Sequence, residues 1–237
     1  MERFKDIIKE YGAKTELHAH TSPVSKCSCI TPQDMARVYG ELGCDAVVIT
    51  NHLNMNWTEG DPSQRAEEYL NDYYETKKLG DASGLSVILG AELCFDGSRN
   101  DYLVYGIEPS DIEKMIYYLD KGIEAFYRDF KSGKNLILQA HPFRKNMTLA
   151  PLDAIDGIET FNCHPAHNSK IGEAARYARN NGLLVSGGTD YHDSGDEGIC
   201  LMRSRMAPRD SFDIVEILKS RDYLFDLSGS IVFTYGY

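Results

Sequence analysis

The stretch TELHAHTSP, residues 15 to 23, places His18 and His20, two of the chain's seven histidines, two residues apart at the end of a short β-rich run. Successive side chains of a strand point to opposite faces, so His18 and His20 project to one side while Leu17 and Ala19 project to the other. Two imidazoles on one face can bite a single metal ion. The same pair can instead line the solvated side of an edge strand, so the reading turns on whether the rest of the chain supplies more ligands at the same end of the same sheet.

Outward from this run the pattern alternates β-rich segments with helical ones. A helix is expected from Thr31, with Pro32 in its first turn, to about Leu42. DAVVITNH (45–52) is nearly all apolar, as a strand covered on both faces should be. A helix then runs from Asp61 and Pro62 to about Lys78, followed by the strand LSVILGAE (85–92), the alternating DYLVYGI (101–107), a helix from about Ser110 to Phe130, and the strand NLILQAH (135–141). GIETFN (157–162) reads as a strand, Asn168 to Asn181 as a helix closed by Gly182, and LLVSGG (183–188) as another strand. The tail holds a helix after Asp210 and an apolar run ending in SGSIVFTYGY. No linker or internal repeat interrupts the series. It implies one α/β domain over residues 1–237 with a mainly parallel sheet, closed or nearly closed into a barrel.

Composition narrows the classes of partner. The length of 237 residues suits one large domain, and 42% hydrophobic with 26% charged residues is ordinary for a globular chain. A formal net charge of -11 argues against a nonspecific grip on nucleic acid or on an anionic membrane, which is built on clustered Lys and Arg. A small anionic substrate is compatible with it if positive charge is concentrated locally. The opening MERFKDIIKEYGAK lacks the apolar core of a signal peptide, and no segment approaches the ~20 apolar residues of a membrane span, so a cytoplasmic location is expected. Cysteines 27, 29, 44, 94, 163 and 200 then read as reduced thiols, and Cys27-x-Cys29 lacks the second pair that a zinc knuckle needs.

Most of the remaining candidate ligands fall at the C-terminal end of an expected strand, where barrel enzymes keep their chemistry. His52 ends one run, Glu92 the next and His141 another; His164 and His167 follow GIETFNC; Asp190 and His192 follow LLVSGGT. Core histidines or helix caps would account for any one of these, but not for their joint placement. Imidazole and carboxylate are ligands for zinc, manganese and iron, and a glutamate can bridge two cations. No Gly-x-Ser-x-Gly elbow supports a serine nucleophile.

In order, ELHAHT, VVITNH, LGAE, QAHPFR and GGTDYH resemble the motifs of the polymerase and histidinol phosphatase (PHP) family, from about residue 14 to 193. The resemblance implies a distorted (β/α)7 barrel carrying two or three divalent transition-metal ions (Zn, Mn or Fe). It implies that His18, His20, Glu92 and Asp190 hold one metal, with Glu92 bridging to a second held by His141 and by His164 or His167. His52 and His192 would serve a third metal or the phosphate. Two positions depart from the pattern: Asn51 replaces the usual aspartate before His52, and Ser25 or Lys26 stands where the family has a ligating Asp or His.

The implied activity is hydrolysis of a small phosphomonoester by a metal-activated water. Arg144 is expected to reach a phosphate oxygen through its planar fork of donors, and a surface salt bridge is its alternative. Lys26 is expected to approach His52 and His192 and to supply part of a third cation's charge. An amidohydrolase-like C–N hydrolase also opens with His-x-His, but often carries a bridging lysine where Glu92 stands here. A PHP-fold metal-binding module without turnover is the reading from outside enzymes.

Overall fold

The computed structural model describes residues 2–235. The elements follow in the order α1 (Glu2–Glu10), β1 (Ala13–Ala19), α2 (Pro32–Glu41), β2 (Ala46–Ile49), β3 (His52–Leu53), α3 (Pro62–Ser83), β4 (Ser86–Leu89), β5 (Ala91–Cys94), β6 (Asp101–Tyr105), α4 (Asp111–Tyr117), α5 (Gly122–Phe130), β7 (Leu136–Gln139), β8 (Gly157–Asn162), α6 (Ile171–Asn181), β9 (Leu184–Gly188), β10 (Cys200–Ser204), α7 (Ser211–Ser220), β11 (Leu224–Leu227) and β12 (Ser230–Phe233). Three helix starts obey local chemistry that the sequence announces. The side chains of Thr31, Asp61 and Asp210 accept from the backbone N–H groups of Asp34, Gln64 and both Phe212 and Asp213, and proline opens α2 and α3.

Two six-stranded sheets result, in the orders β12-β11-β10-β1-β2-β4 and β3-β5-β6-β7-β8-β9. They share two kinked runs, since β2 is followed almost at once by β3 and β4 by β5. At the kink the Gly90 N–H donates to Ile49 O at 2.9 Å, and a Cβ on Gly90 would stand 2.9 Å from a Val48 methyl, so only glycine lets the runs cross this closely. On the opposite side β9 meets the end of β1 through one parallel bridge, Ala19 to Tyr191, flanked by Tyr191 N–H to His18 O at 3.1 Å and His20 N–H to Tyr191 O at 3.0 Å. The start of β1 pairs with β10 instead. The barrel is therefore distorted, with its ladder interrupted at these two places.

Pairing is mixed where the sequence suggested a mainly parallel sheet. β6 runs antiparallel to both β5 and β7, and β10, β11 and β12 form an antiparallel extension. β10 was not expected, because it follows a loop and so breaks the alternation of strand and helix. The helix expected over 110–130 is two helices, parted where Gly122 takes φ of 79° and Leu119 enters the core. α6 starts three residues later than expected because Lys170 is left-handed at φ 49°.

Leu17, Val48, Ile88, Leu103, Ile137 and Ile158 belong to the main core, while Ala19, Val47, Ile49 and Val87 pack with Met35 and Tyr39 of α2. Each of these valine, leucine, isoleucine and methionine side chains contributes about 1.5 to 3 kcal/mol on burial, so β1 and β2 are anchored on both faces. His18 and His20 have no solvent exposure, and β1 is an interior strand. No described helix is long and apolar enough to cross a membrane.

Candidate metal centre

Four side-chain atoms from three strand ends converge. His18 Nε2 lies 3.3 Å from Glu92 Oε2 and 3.4 Å from Asp190 Oδ1, and His20 Nε2 lies 3.3 Å from each of the same two oxygens. All four residues are buried, and these four atoms have no hydrogen-bond partner. Leaving one polar atom buried and unpaired costs about 1 to 3 kcal/mol, so four of them facing one point require a common partner. Donors at about 2.0 to 2.1 Å from a tetrahedral cation stand about 3.3 to 3.4 Å apart, which is the spacing found here. The set can hold a metal ion.

The rings are locked so that the lone pairs face inward. His18 Nδ1 donates to Glu159 Oε1 at 2.8 Å, which leaves Nε2 as the nitrogen that a cation can take in place of a proton. The Ser25 hydroxyl donates to Asn51 Oδ1 at 2.9 Å and thereby accepts from His20 Nδ1 at 3.2 Å, which fixes the second ring in the same tautomer. Around this centre stand His52, with Nδ1 3.1 Å from Glu92 Oε2, and His141, with Nε2 3.1 Å from Glu92 Oε1. His192 stacks on His20 at 4.2 Å between centroids and donates from Nδ1 to its neighbour Asp190 O at 2.8 Å.

The electrostatics suit a cation. Burial opposes charge on His18, but Asp190, Glu159 and Glu92 outweigh it and hold that imidazole well above its ordinary pKa. Burial likewise works against the Glu92 carboxylate, yet the His18 charge keeps it well below the usual range. Burial pushes His52 down to about 4, and burial with the His20 charge pushes His192 down to about 3, so both rings offer neutral nitrogens. Two site residues also adopt backbone conformations that non-glycine residues avoid, His141 at φ 29° and Asp190 at φ 58°. The His141 N–H is held by Glu159 Oε2 at 3.0 Å, which secures that turn.

Other expected residues are placed differently. His164 and His167 pair with each other at 4.7 Å between ring centroids and join none of the ligand groups among the described residues. The cause is local: His164 Nδ1 accepts the Ala166 N–H at 3.2 Å within its own turn. Arg144 is held at the centre and is not a surface pair. One terminal nitrogen donates to Asp190 Oδ2 and to Asn162 Oδ1, both at 2.5 Å. Lys26 is exposed on the wall of a cleft of about 510 Å³ whose lining includes His52, Trp57, Arg65, Cys94 and Asp101 but not His192. Its neighbour Ser25 turns inward instead. Asn51 spends its amide on the turn after β1, accepting from Thr21 N at 2.7 Å and donating to Thr21 Oγ1 at 2.8 Å.

Three residues escaped the sequence reading. Glu159 and Asn162 lie within β8 and at its end, and Asn162 donates to both Glu159 Oε2 and Asp190 Oδ2. Asp101 begins β6, and with His52 and Glu92 it forms a further group able to hold an ion. Burial and the Glu92 charge push its carboxyl up to about 7. A search confined to C-terminal strand ends passes over Asp101, because an antiparallel strand brings its first residue, not its last, to the ligand end.

Residues 16–220 match the family model of the PHP domain, and the chain belongs to that family. Its fold is similar to that of a two-domain protein from Bacteroides vulgatus described as containing a predicted PHP-like metal-dependent phosphoesterase (TM-score 0.59, 15% identity, 90% of this chain and 64% of that one). It is also similar to PsfC from Pseudomonas syringae (TM-score 0.55, 19% identity, 80% of each chain). An amidohydrolase from Chromobacterium violaceum, with bound sulfate and no metal, shares the fold as well (TM-score 0.53, 15% identity, 93% of this chain and 98% of that one). The chain thus spans about two thirds of the Bacteroides protein and nearly all of the Chromobacterium one. No curated protein matches.

Proposed function

We propose that the protein is a metal-dependent phosphoesterase acting on a small phosphomonoester, with His18, His20, Glu92 and Asp190 as ligands of its first metal ion. The observation that carries this is the set of four buried, unpartnered donor atoms at the mutual spacing a cation demands. Bound divalent zinc, manganese or iron supplies Lewis acidity to phosphoryl oxygens and lowers the pKa of water toward neutrality. The chain does the rest. Glu159 and Ser25 orient the two imidazoles, and Arg144 with Asn162 fixes Asp190 so that one oxygen faces the centre. Arg144 is thus a positioning residue. His52 and His192, kept neutral by burial, border the same centre and offer it uncharged nitrogens. Lys26 places a positive charge on the cleft wall, where an anionic substrate enters an otherwise acidic protein, while Arg65 beside it is paired with Glu68.

Two features favour ester over C–N hydrolysis: a glutamate, not a lysine, stands at the bridging position, and the family match is to the PHP domain. The test is hydrolysis of a chromogenic phosphomonoester by purified protein supplied with manganese or zinc, followed by sugar phosphates, nucleotides and histidinol phosphate. Turnover of at least one phosphomonoester that is lost on chelation is expected. Metal-loaded protein inert on the whole panel returns the chain to a binding module.

A further inference from the structure

We propose that the protein carries a second ligand site behind β8, a pocket that takes a small monocarboxylate with an apolar body and a hydroxyl at its far end. The site is separate from the metal centre and stands or falls independently of the activity proposed above. The pocket encloses about 470 Å³, within the range of small-molecule sites, between α6, β8, β9, the end of α7 and the chain from Val232 to Tyr235. Ala178, Leu183, Val185 and Val232 give it apolar walls, and Phe161 and Tyr235 add aromatic surface.

The local structure of β8 lets one strand serve two sites. Glu159 pairs with Ser186 of β9 and Phe161 with Gly187, so Thr160 is the extra residue of a bulge. Glu159 and Asn162 turn to the metal centre, where they hold His18 and Asp190, whereas Thr160 and Phe161 line the pocket. Thr160 is only 1% exposed, and its hydroxyl has no hydrogen-bond partner. A buried hydroxyl left unpaired costs stability, and valine has the same shape without that cost. A threonine at this point therefore calls for a ligand that supplies the missing partner.

Charge assigns the other end of the ligand. Arg179 of α6 and Arg221, which follows α7, line the pocket, and both are exposed, which sets them at its mouth. In a chain of net charge -11 neither forms an ion pair with a carboxylate among the described residues, and no Asp or Glu lines the pocket. One terminal nitrogen of Arg221 donates to Gly182 O at 2.8 Å, and its guanidinium lies 4.9 Å from the Tyr235 ring centroid. Tyr235 is itself pinned, its hydroxyl accepting the Val185 N–H at 3.0 Å. The fork is thus oriented, with nitrogens to spare for an anion. Guanidinium pairs a carboxylate in bidentate fashion, and against walls such as Leu183 and Val185 a single charge costs less to desolvate than a phosphate dianion.

The experiment is calorimetric titration of the purified protein with 3-(4-hydroxyphenyl)propionate, compared with 3-phenylpropionate and with the neutral amide of the first compound. One molecule of the phenolic acid per chain is expected, with the amide at least tenfold weaker. Arg179→Ala and Arg221→Ala should each weaken the acid at least fivefold. Thr160→Val should bring the phenolic acid down to the affinity of 3-phenylpropionate while raising the Tm of the free protein, because the unpaired hydroxyl is gone. A lowered Tm in that variant would give the hydroxyl a structural role and overturn the assignment. Equal affinity of acid and amide, indifference to both arginine substitutions, or no binding of either acid at millimolar concentration overturns it as well. A wild-type crystal soaked with the phenolic acid guards against misfolded variants: density between Thr160 and Arg221 is expected, and density confined to the metal centre, or a dimer that covers the pocket, defeats the proposal.

Discussion

His18 and His20 work as ligands only because other side chains decide where their protons sit. Glu159 is the clearest case, since one carboxylate accepts from His18 Nδ1, the His141 backbone N–H and Asn162. Glu159→Ala should weaken binding of the first metal about 10- to 100-fold, the usual effect of removing such a partner, as measured by competition with a chromogenic chelator. Unaltered affinity would show that the ring needs no such anchor. Arg144 is only 13% exposed against Asp190, so Arg144→Ala should remove the guanidinium that offsets this carboxylate and cost about 3 kcal/mol of stability in urea unfolding, with metal affinity falling as well. A variant that keeps both stability and metal content while losing only turnover would move Arg144 to the substrate.

At the scale of elements, the centre depends on how closely β9 approaches β1. A Cβ on Gly188 would lie 2.5 Å from His18 Cβ and 2.8 Å from His18 N. Gly188→Ala must therefore push the strands apart at the seam that carries both His18 and Asp190. It should destabilise the fold by about 1 to 3 kcal/mol and reduce metal affinity in the same variant. Gly172→Ala, on α6 with open space around the added methyl, is the control and should change neither. Equal behaviour of the two variants would show that the seam can relax without moving the ligands.

For the molecule as a whole, the buried ligand cluster makes stability conditional on the ion. A cation that binds only the folded state at 100 times its dissociation constant contributes about 2.7 kcal/mol. For a chain of this size that raises Tm by roughly 5 to 11 °C, a difference to be read by thermal unfolding with and without manganese or zinc. No shift at saturating metal would argue that the four atoms do not bind it.

The sequence by itself determined the alternation of strands and helices and the helix starts at Thr31, Asp61 and Asp210, because periodicity and capping chemistry are local properties of the chain, whereas the grouping of His18, His20, Glu92 and Asp190 was implied by the resemblance of its motifs to the PHP family. The split of the 110–130 helix and the antiparallel course of β6 were not legible, since a turn conformation and a strand's direction depend on what the neighbouring elements allow. Only the tertiary structure decided that Arg144 faces Asp190, that Ser25 and not Lys26 turns inward, and that Glu159 and Asp101 join the centre. The reason is distance along the chain: Glu159 lies 141 residues from the ring it holds. A carboxylate within or at the start of a strand carries no local mark of which ring, proton or cation it will meet once the sheet curls.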